Sequence, residues 1–102
     1  MERIEWDAKS ADHIRTRSDR YEGAIDVAPE WTAEVVVDPD RLVDEPDPNS
    51  AHANSVRIVG YSFSAQMVIT VVALRDRYGG LHGASAWKTT GVALRQYLEG
   101  TA

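Results

Sequence analysis

The sequence predicts an α+β domain: an antiparallel meander sheet with two helices from the N-terminal part of the chain and one C-terminal helix. Three observations lead to this prediction. The chain of 102 residues has the length of one domain. Runs rich in β-branched residues lie between residues 31 and 87, and apolar residues recur at helical spacing near both ends. The expected order is β-α-α-β-β-β-β-α, in a single domain over residues 1–102.

The N-terminal third predicts a short strand followed by two helices. Ile4 and Trp6 alternate with charged residues, as in a strand with one apolar face. Asp7 can accept hydrogen bonds from the first free N–H groups of a helix that runs to about residue 17. Apolar spacing predicts a second helix over residues 20–27, and Pro29 is expected to end it.

The middle of the chain predicts one strand and one long loop. Residues 31–37 read WTAEVVV, and this run favours a strand because valine and tryptophan pack well on a pleated surface. Residues 38–54 hold three prolines, four aspartates and Glu45, a composition typical of a solvated loop. We expect this loop to be flexible, since unstructured loops of this length are unusual inside a domain.

The C-terminal half predicts three further strands and a closing helix. The middle strand of the three is nearly all apolar and is therefore expected at the centre of the sheet, covered on both faces. Thr89 or Thr90 caps the closing helix, which ends near residue 99, with Gly100 as its stop signal. The three strands are expected over residues 55–62, 67–75 and 81–87.

Composition and charge narrow the classes of function. The chain has no cysteine, so neither disulfides nor thiolate metal sites are available, and we expect a cytoplasmic protein. The longest apolar stretch, residues 67–74, is far shorter than the roughly 20 residues of a membrane helix, and no membrane association is expected. Residues 1–50 carry six Lys/Arg and fourteen Asp/Glu, whereas residues 51–102 carry five and two. A local basic face on the C-terminal half could therefore bind a polyanion although the net charge is −5.

No cofactor or metal site is predicted. The acidic residues of the loop are separated by prolines and lack the glycine of a calcium-binding loop. The sequence also contains no phosphate-binding glycine motif, no nucleophile elbow and no zinc-ligand spacing. The acidic residues of the loop are Asp38, Asp40, Asp44, Glu45 and Asp47.

Short motifs spread along the chain resemble the BrnT family of bacterial type II toxins, which have a RelE-like fold. The resemblance implies a ribosome-independent endoribonuclease that is neutralised by an antitoxin with a DNA-binding domain, and a complex that represses its own operon. The matching residues are Ile4-Glu5-Trp6-Asp7, Arg57-Ile58-Val59-Gly60-Tyr61-Ser62, the apolar run from Val68 to Leu74, Ser85-Ala86, Arg95 and Tyr97.

The chain departs from the family pattern at three places. Arg15-Thr16-Arg17-Ser18 stands where many members have a Lys-His-Gly run after the first helix. Trp87 replaces the arginine of the family's Ser-Ala-Arg, and Ala93 replaces an acidic residue. These departures favour an alternative function, that of a catalytically degenerate protein-interaction module with the same fold.

Metal-independent RNA cleavage needs three groups. A base activates the ribose 2′-hydroxyl, a cation stabilises the charge on the phosphorane, and an acid protonates the leaving oxygen. We predict Arg57, Lys88, Arg95 and His82 as catalytic residues. Trp87 and Tyr97 are predicted RNA contacts, since aromatic rings stack on bases. Each also has an ordinary explanation: the cations are solvated, His82 belongs to an exposed turn, and the two aromatic residues pack against the core.

The resemblance, together with these residues, implies two alternative functions. The first is a toxin that cleaves RNA and binds a ribbon-helix-helix antitoxin, as a homodimer or as a heterotetramer with that antitoxin. The second is the degenerate interaction module. The toxin function requires Arg57 and the cations around the closing helix to meet on one polar face of the sheet.

Overall fold

The computed structural model describes residues 1–101 and has an α+β fold with one five-stranded sheet. None of its helices is long and apolar enough to cross a membrane. One short 3₁₀ turn, Arg17–Asp19, follows the first helix. In chain order the elements are β1 (Ile4–Glu5), α1 (Ala8–Arg15), α2 (Pro29–Val35), β2 (Leu42–Asp44), β3 (Ser55–Ser62), β4 (Met67–Arg75), β5 (Leu81–Lys88) and α3 (Gly91–Thr101).

The sheet is mixed, with strand order β1-β5-β4-β3-β2. Strands β2 to β5 form an antiparallel meander, in which β3, β4 and β5 are predicted strands and β2 lies in the segment predicted as a loop. The prediction of a purely antiparallel sheet is wrong, because β1 pairs in parallel with β5 through Ile4–Leu81 and Glu5–His82. The reason is topological: β1 is separated from the meander by two helices, so it joins the free edge of β5 instead of starting the meander.

The prediction was also wrong between residues 20 and 37. Residues 20–23 form turns and residues 24–27 are irregular instead of helical, and residues 31–35 belong to α2 instead of a strand. Pro29 occupies the first turn of α2, where its missing N–H costs no hydrogen bond, so it begins a helix where we expected it to end one. Thr32, Val35 and Val36 are then buried together on the sheet, and this packing outweighs the β preference of valine.

Residues 38–54 are not the structureless loop that the sequence predicts. They contain β2, which pairs with β3, and polar contacts hold the segment to the sheet. Glu45 accepts from Arg75 Nε at 2.7 Å, and the backbone N–H of Asp47 donates to Ser55 Oγ at 3.1 Å. Asn54 Nδ2 also donates to the carbonyl of Arg75 at 3.0 Å.

The two faces of the sheet are covered unequally. Helices α1 and α2 cover one face, where a large core includes Ile14, Val35, Ile58, Ile69 and Val71. On the opposite face α3 covers only one corner, through a smaller cluster formed by Val59, Val68, Tyr97, Leu42 and Leu94.

The N-terminal strand is fixed by one tight aromatic contact. The indole of Trp6 lies directly against Gly83 of β5, so closely that a Cβ at residue 83 would be 2.3 Å from the ring. The indole Nε1 also donates to Thr32 Oγ1 at 2.8 Å. Trp6 therefore joins β1, α2 and β5 at one point.

Candidate functional site

Arg57 is engaged by carboxylates of the N-terminal half. Its Nη2 lies 2.7 Å from Asp44 Oδ2 and its Nη1 lies 3.8 Å from Asp47 Oδ1. The side chain of Asp47 is only 5% exposed, and that of Arg57 is 25% exposed. Arg57 Nε is buried without a hydrogen-bond partner within residues 1–101. The guanidinium is therefore already occupied, and in this arrangement it holds β2 and the loop on β3.

We expect Arg57→Ala to lower the free energy of unfolding by about 1–3 kcal/mol, because it leaves the buried Asp47 carboxylate without its cation. Urea denaturation followed by circular dichroism measures this change. Arg77→Ala is the matched control, since Arg77 is an exposed cation in the β4–β5 turn, and it should change stability by less than about 0.5 kcal/mol. Equal stability of the two variants would contradict the structural role of Arg57.

His82 is held by a carboxylate in the β4–β5 turn. Its Nε2 lies 2.7 Å from Asp76 Oδ2, while Asp76 Oδ1 accepts from the backbone N–H groups of Tyr78 and Gly80 at 2.9 Å each. The hydrogen bonds from His82 and Gly80 lower the pKa of Asp76. Asp76 thus organises the turn, and His82 is bound to it.

Tyr97 is buried between α3 and the sheet, and its hydroxyl donates a short hydrogen bond to Asp38 Oδ2. Burial and this hydrogen bond raise the pKa of Tyr97 well above its usual value of 10.0. The hydroxyl therefore keeps its proton, and the ring packs with Val59 and Val68. This position gives Tyr97 a structural role and leaves no exposed ring face on which RNA could stack.

The predicted catalytic cations do not converge. Lys88 pairs with Ile69 across β4 and β5, whereas Arg57 pairs with Val72, three residues further along β4. Successive residues of a strand point to opposite faces, so Arg57 and Lys88 project from opposite faces of the sheet. Arg95 is exposed on α3, beside Leu94 and Leu98.

The structure does bring Trp87 and Lys88 together with a residue that the sequence analysis missed, Arg17. The guanidinium of Arg17 lies 4.7 Å from the ring centroid of Tyr21 and 5.6 Å from that of Trp87. Within residues 1–101 neither Arg17 nor Lys88 forms an ion pair. A cavity of about 380 Å³, called here the Arg17–Trp87 pocket, is lined by Arg17, Glu22, Gly23, Ala24, Ile25, Trp87, Lys88 and Thr90.

A neighbouring cavity extends this positive surface along α1 beside β5. Lys9, His13 and Arg17 follow one another at four-residue spacing on the N-terminal helix and the turn after it. Lys9, His13 and Arg20 line a second cavity of about 550 Å³ together with Ala84 of β5, with Asp12 as the carboxylate among its lining residues. The edge of β5 remains accessible here because β1 covers only Leu81 and His82.

No local sequence pattern marks Arg17 as a site residue. It lies in the turn after α1, and it meets Trp87 because this turn lies beside the end of β5, 70 residues further along the chain. The contact could therefore not be predicted from either segment alone.

Comparison of the chain with protein-family models, curated proteins and solved structures gives no significant match. Among residues 1–101 no three His, Asp or Glu side chains cluster so that they could hold a metal ion.

Proposed function

We propose that this chain is a divergent BrnT-like toxin that binds single-stranded RNA in the Arg17–Trp87 pocket. The observation that carries the proposal is the meeting of an indole with two cations that form no ion pair within residues 1–101, all in one cavity. An aromatic face stacks on bases of any sequence, and lysine and arginine contact the phosphates between them. An RNA substrate implies a cytoplasmic protein.

The charge of the surface supports this binding mode although the whole chain is acidic. Lys9, Arg17, Arg20 and Lys88 lie along two adjacent cavities, with Glu22 and Asp12 as the carboxylates that line them. A local basic strip of this kind can bind a nucleic-acid backbone when the acidic surfaces lie elsewhere. Three of the acids, Asp44, Glu45 and Asp47, lie near Arg57 and Arg75 on other strands.

Binding and cleavage are separate parts of the proposal. In the pocket, Arg17 and Lys88 can stabilise negative charge on the oxygens of the phosphorane, and Glu22 is the carboxylate among the lining residues that could take a proton. His82 and Tyr97, which we predicted as an acid–base residue and an RNA contact, are engaged elsewhere. The geometry therefore supports RNA binding more directly than metal-independent cleavage.

We expect Trp87→Ala to weaken binding of a single-stranded RNA oligonucleotide by about 5- to 150-fold, because this factor corresponds to the free energy of stacking one base on an aromatic ring. Lys88→Ala should weaken binding of all sequences alike and reduce the slope of log affinity against log salt by about 1. Fluorescence anisotropy at several salt concentrations measures both changes, and the same samples, with chelator present, are analysed for cleaved RNA.

Arg77→Ala again serves as the control, because Arg77 is an exposed cation that stacks on Tyr78 outside the pocket. It should bind RNA as the unaltered chain does. Thermal denaturation of each variant separates loss of binding from loss of fold. The proposal fails if Trp87→Ala and Lys88→Ala both fold and bind RNA with unchanged affinity, or if the unaltered chain shows no salt-dependent binding.

A second candidate function is the catalytically degenerate interaction module, which binds an antitoxin without cleaving RNA. It is favoured because Arg57, His82 and Tyr97 are each held by a carboxylate. The resemblance to BrnT toxins suggests a small ribbon-helix-helix protein as the partner, in a heterotetramer. Co-expression with such a protein from the adjacent gene, followed by light scattering, tests this function; a chain that stays alone would count against it.

A further inference from the structure

An apolar groove of about 480 Å³ lies between α3, the β3–β4 turn and the segment after α2, and it shares no lining residue with the Arg17–Trp87 pocket. Its floor is formed by Val68 and Tyr97, which belong to the smaller core cluster. The lining residues are Glu34, Val37, Asp38, Pro39, Asp40, Tyr61, Phe63, Val68, Tyr97, Leu98 and Thr101.

The walls of the groove expose large apolar side chains to solvent. Phe63 is 72% exposed, Leu98 52% and Tyr61 37%. Leu98 also borders a second depression on α3, together with Leu94 and Arg95, so the apolar surface continues along the helix. Contiguous exposed apolar surface of this kind marks binding sites in soluble proteins.

Carboxylates rim the groove, and within residues 1–101 they form no ion pair. Glu34, Asp38 and Asp40 line it, and none of the residues that line it is a lysine, an arginine or a histidine. Hydrogen bonds from Ser62 and Ser64 lower the pKa of Glu34, so that carboxylate is ionised at neutral pH.

Hydrogen bonds also hold the walls of the groove in place. Glu34 accepts from the hydroxyl groups of Ser62 and Ser64 at 2.5 Å each and from the backbone N–H of Ser64 at 3.1 Å. These bonds fix the turn that carries Phe63. Asp38 binds the hydroxyl of Tyr97 and the N–H of Tyr61, which fixes α3 against β3. A preformed groove loses less conformational entropy when it binds.

We infer that this groove docks an amphipathic helix of a partner protein, with apolar side chains between Phe63 and Leu98 and lysine or arginine side chains against Glu34 and Asp40. Burial of the apolar face drives such helix-in-groove binding, and the flanking charges select the partner. A second copy of this chain fits poorly, because its net charge of −5 repels the acidic rim. The inference does not depend on RNA binding.

The test selects peptides from a random-sequence display library of roughly 15-residue peptides, long enough for about four helical turns. The full chain is the bait, and the double variant Phe63→Ala/Leu98→Asp is used for counter-selection. We expect enriched peptides with net positive charge and apolar residues at i, i+3, i+4 and i+7. Their affinity should fall at least about tenfold for the double variant, as for loss of central interface residues.

Two further variants separate the contributions. Asp40→Asn removes one rim charge and should weaken binding several-fold, with a smaller salt dependence. Tyr78→Ala removes an aromatic residue that is exposed elsewhere and should leave peptide affinity unchanged. Circular dichroism of each variant confirms that the fold is kept.

The inference is overturned if no peptide is enriched, if the enriched peptides are acidic, or if they bind the double variant as tightly as the unaltered chain. Affinity of the double variant for single-stranded RNA is measured in parallel. It should be unchanged, because the groove and the Arg17–Trp87 pocket have no residue in common. Failure of peptide docking and failure of RNA binding are therefore separate results.

Discussion

Replacing Gly83 by alanine should lower the melting temperature by about 10–25 °C, the largest effect of a one-carbon change that we expect in this chain. A Cβ at residue 83 would lie 2.3 Å from Cε2 of the Trp6 indole, and two other ring atoms lie within 2.5 Å of it. The ring would have to move, and its hydrogen bond to Thr32 would break with it. Overpacking and the lost bond together cost about 2–4 kcal/mol.

Gly100→Ala is the matched control for this change. Gly100 lies in the last turn of α3, and a Cβ there would meet no atom within 4 Å. Alanine favours helix over glycine by up to about 1 kcal/mol, so Gly100→Ala should be neutral or stabilising. Differential scanning calorimetry compares the two variants. A Gly83→Ala chain that melts within about 3 °C of the unaltered chain would mean that Trp6 does not lie against β5.

Replacing Asp38 by alanine should lower the free energy of unfolding by about 2–4 kcal/mol. The Asp38 carboxylate accepts from the hydroxyl of Tyr97 and from the backbone N–H groups of Tyr61 and Asp40, at 2.7 and 2.9 Å for the two backbone bonds. Without it, a buried hydroxyl and two N–H groups lose their acceptor. A lower urea midpoint with an unchanged denaturant slope would show the loss.

Two conservative variants separate the contributions to this effect. Asp38→Asn keeps one acceptor oxygen and should cost less than alanine, while Tyr97→Phe removes the donor and leaves a carboxylate that still accepts from Tyr61 and Asp40. Because the two side chains share a bond, the costs of Asp38→Ala and Tyr97→Phe should not add in the double variant. Full additivity would show that the hydroxyl and the carboxylate do not interact.

The stabilisation by Asp38 should depend on pH in a definite direction. Although burial raises the pKa of this carboxyl, hydrogen bonds from Tyr97, Tyr61 and Asp40 outweigh burial and hold it below 3.8. A group whose pKa is lowered by folding stabilises the protein above its unfolded-state value and loses that effect as the pH falls through the folded-state value. The stability difference between the unaltered chain and Asp38→Ala should therefore be constant near neutral pH and shrink below about pH 4.

The elements that the sequence predicts correctly are those decided by local pattern. Strands β3, β4 and β5 lie within a residue of their predicted bounds, because each is a run of apolar and β-branched residues between turn signals. Residues 29–35 were misassigned, since Pro29 can end one helix or begin another and only packing against the sheet decides between them. The position of β2 depends on pairing with β3, which no local pattern in the acidic loop records.

The candidate site was predicted in part for the same reason. Trp87 and Lys88 are both predicted site residues at the end of β5, but successive strand residues point to opposite faces, so the sequence does not show that both line one pocket. Arg17 joins them only because α1 packs beside β5, a contact between residues 70 positions apart. The pairing of Arg57 with Asp44 follows from the register between β2 and β3, which a sequence alone does not supply.

The parallel pairing of Ile4 with Leu81 has a consequence for biosynthesis. A ribosome makes β1 well before β5, the strand with which β1 pairs within residues 1–101. Trp6 likewise can pack against Gly83 only after β5 has been made. In the nascent polypeptide β1 must therefore stay unpaired until β5 has left the exit tunnel, so this edge of the sheet forms late.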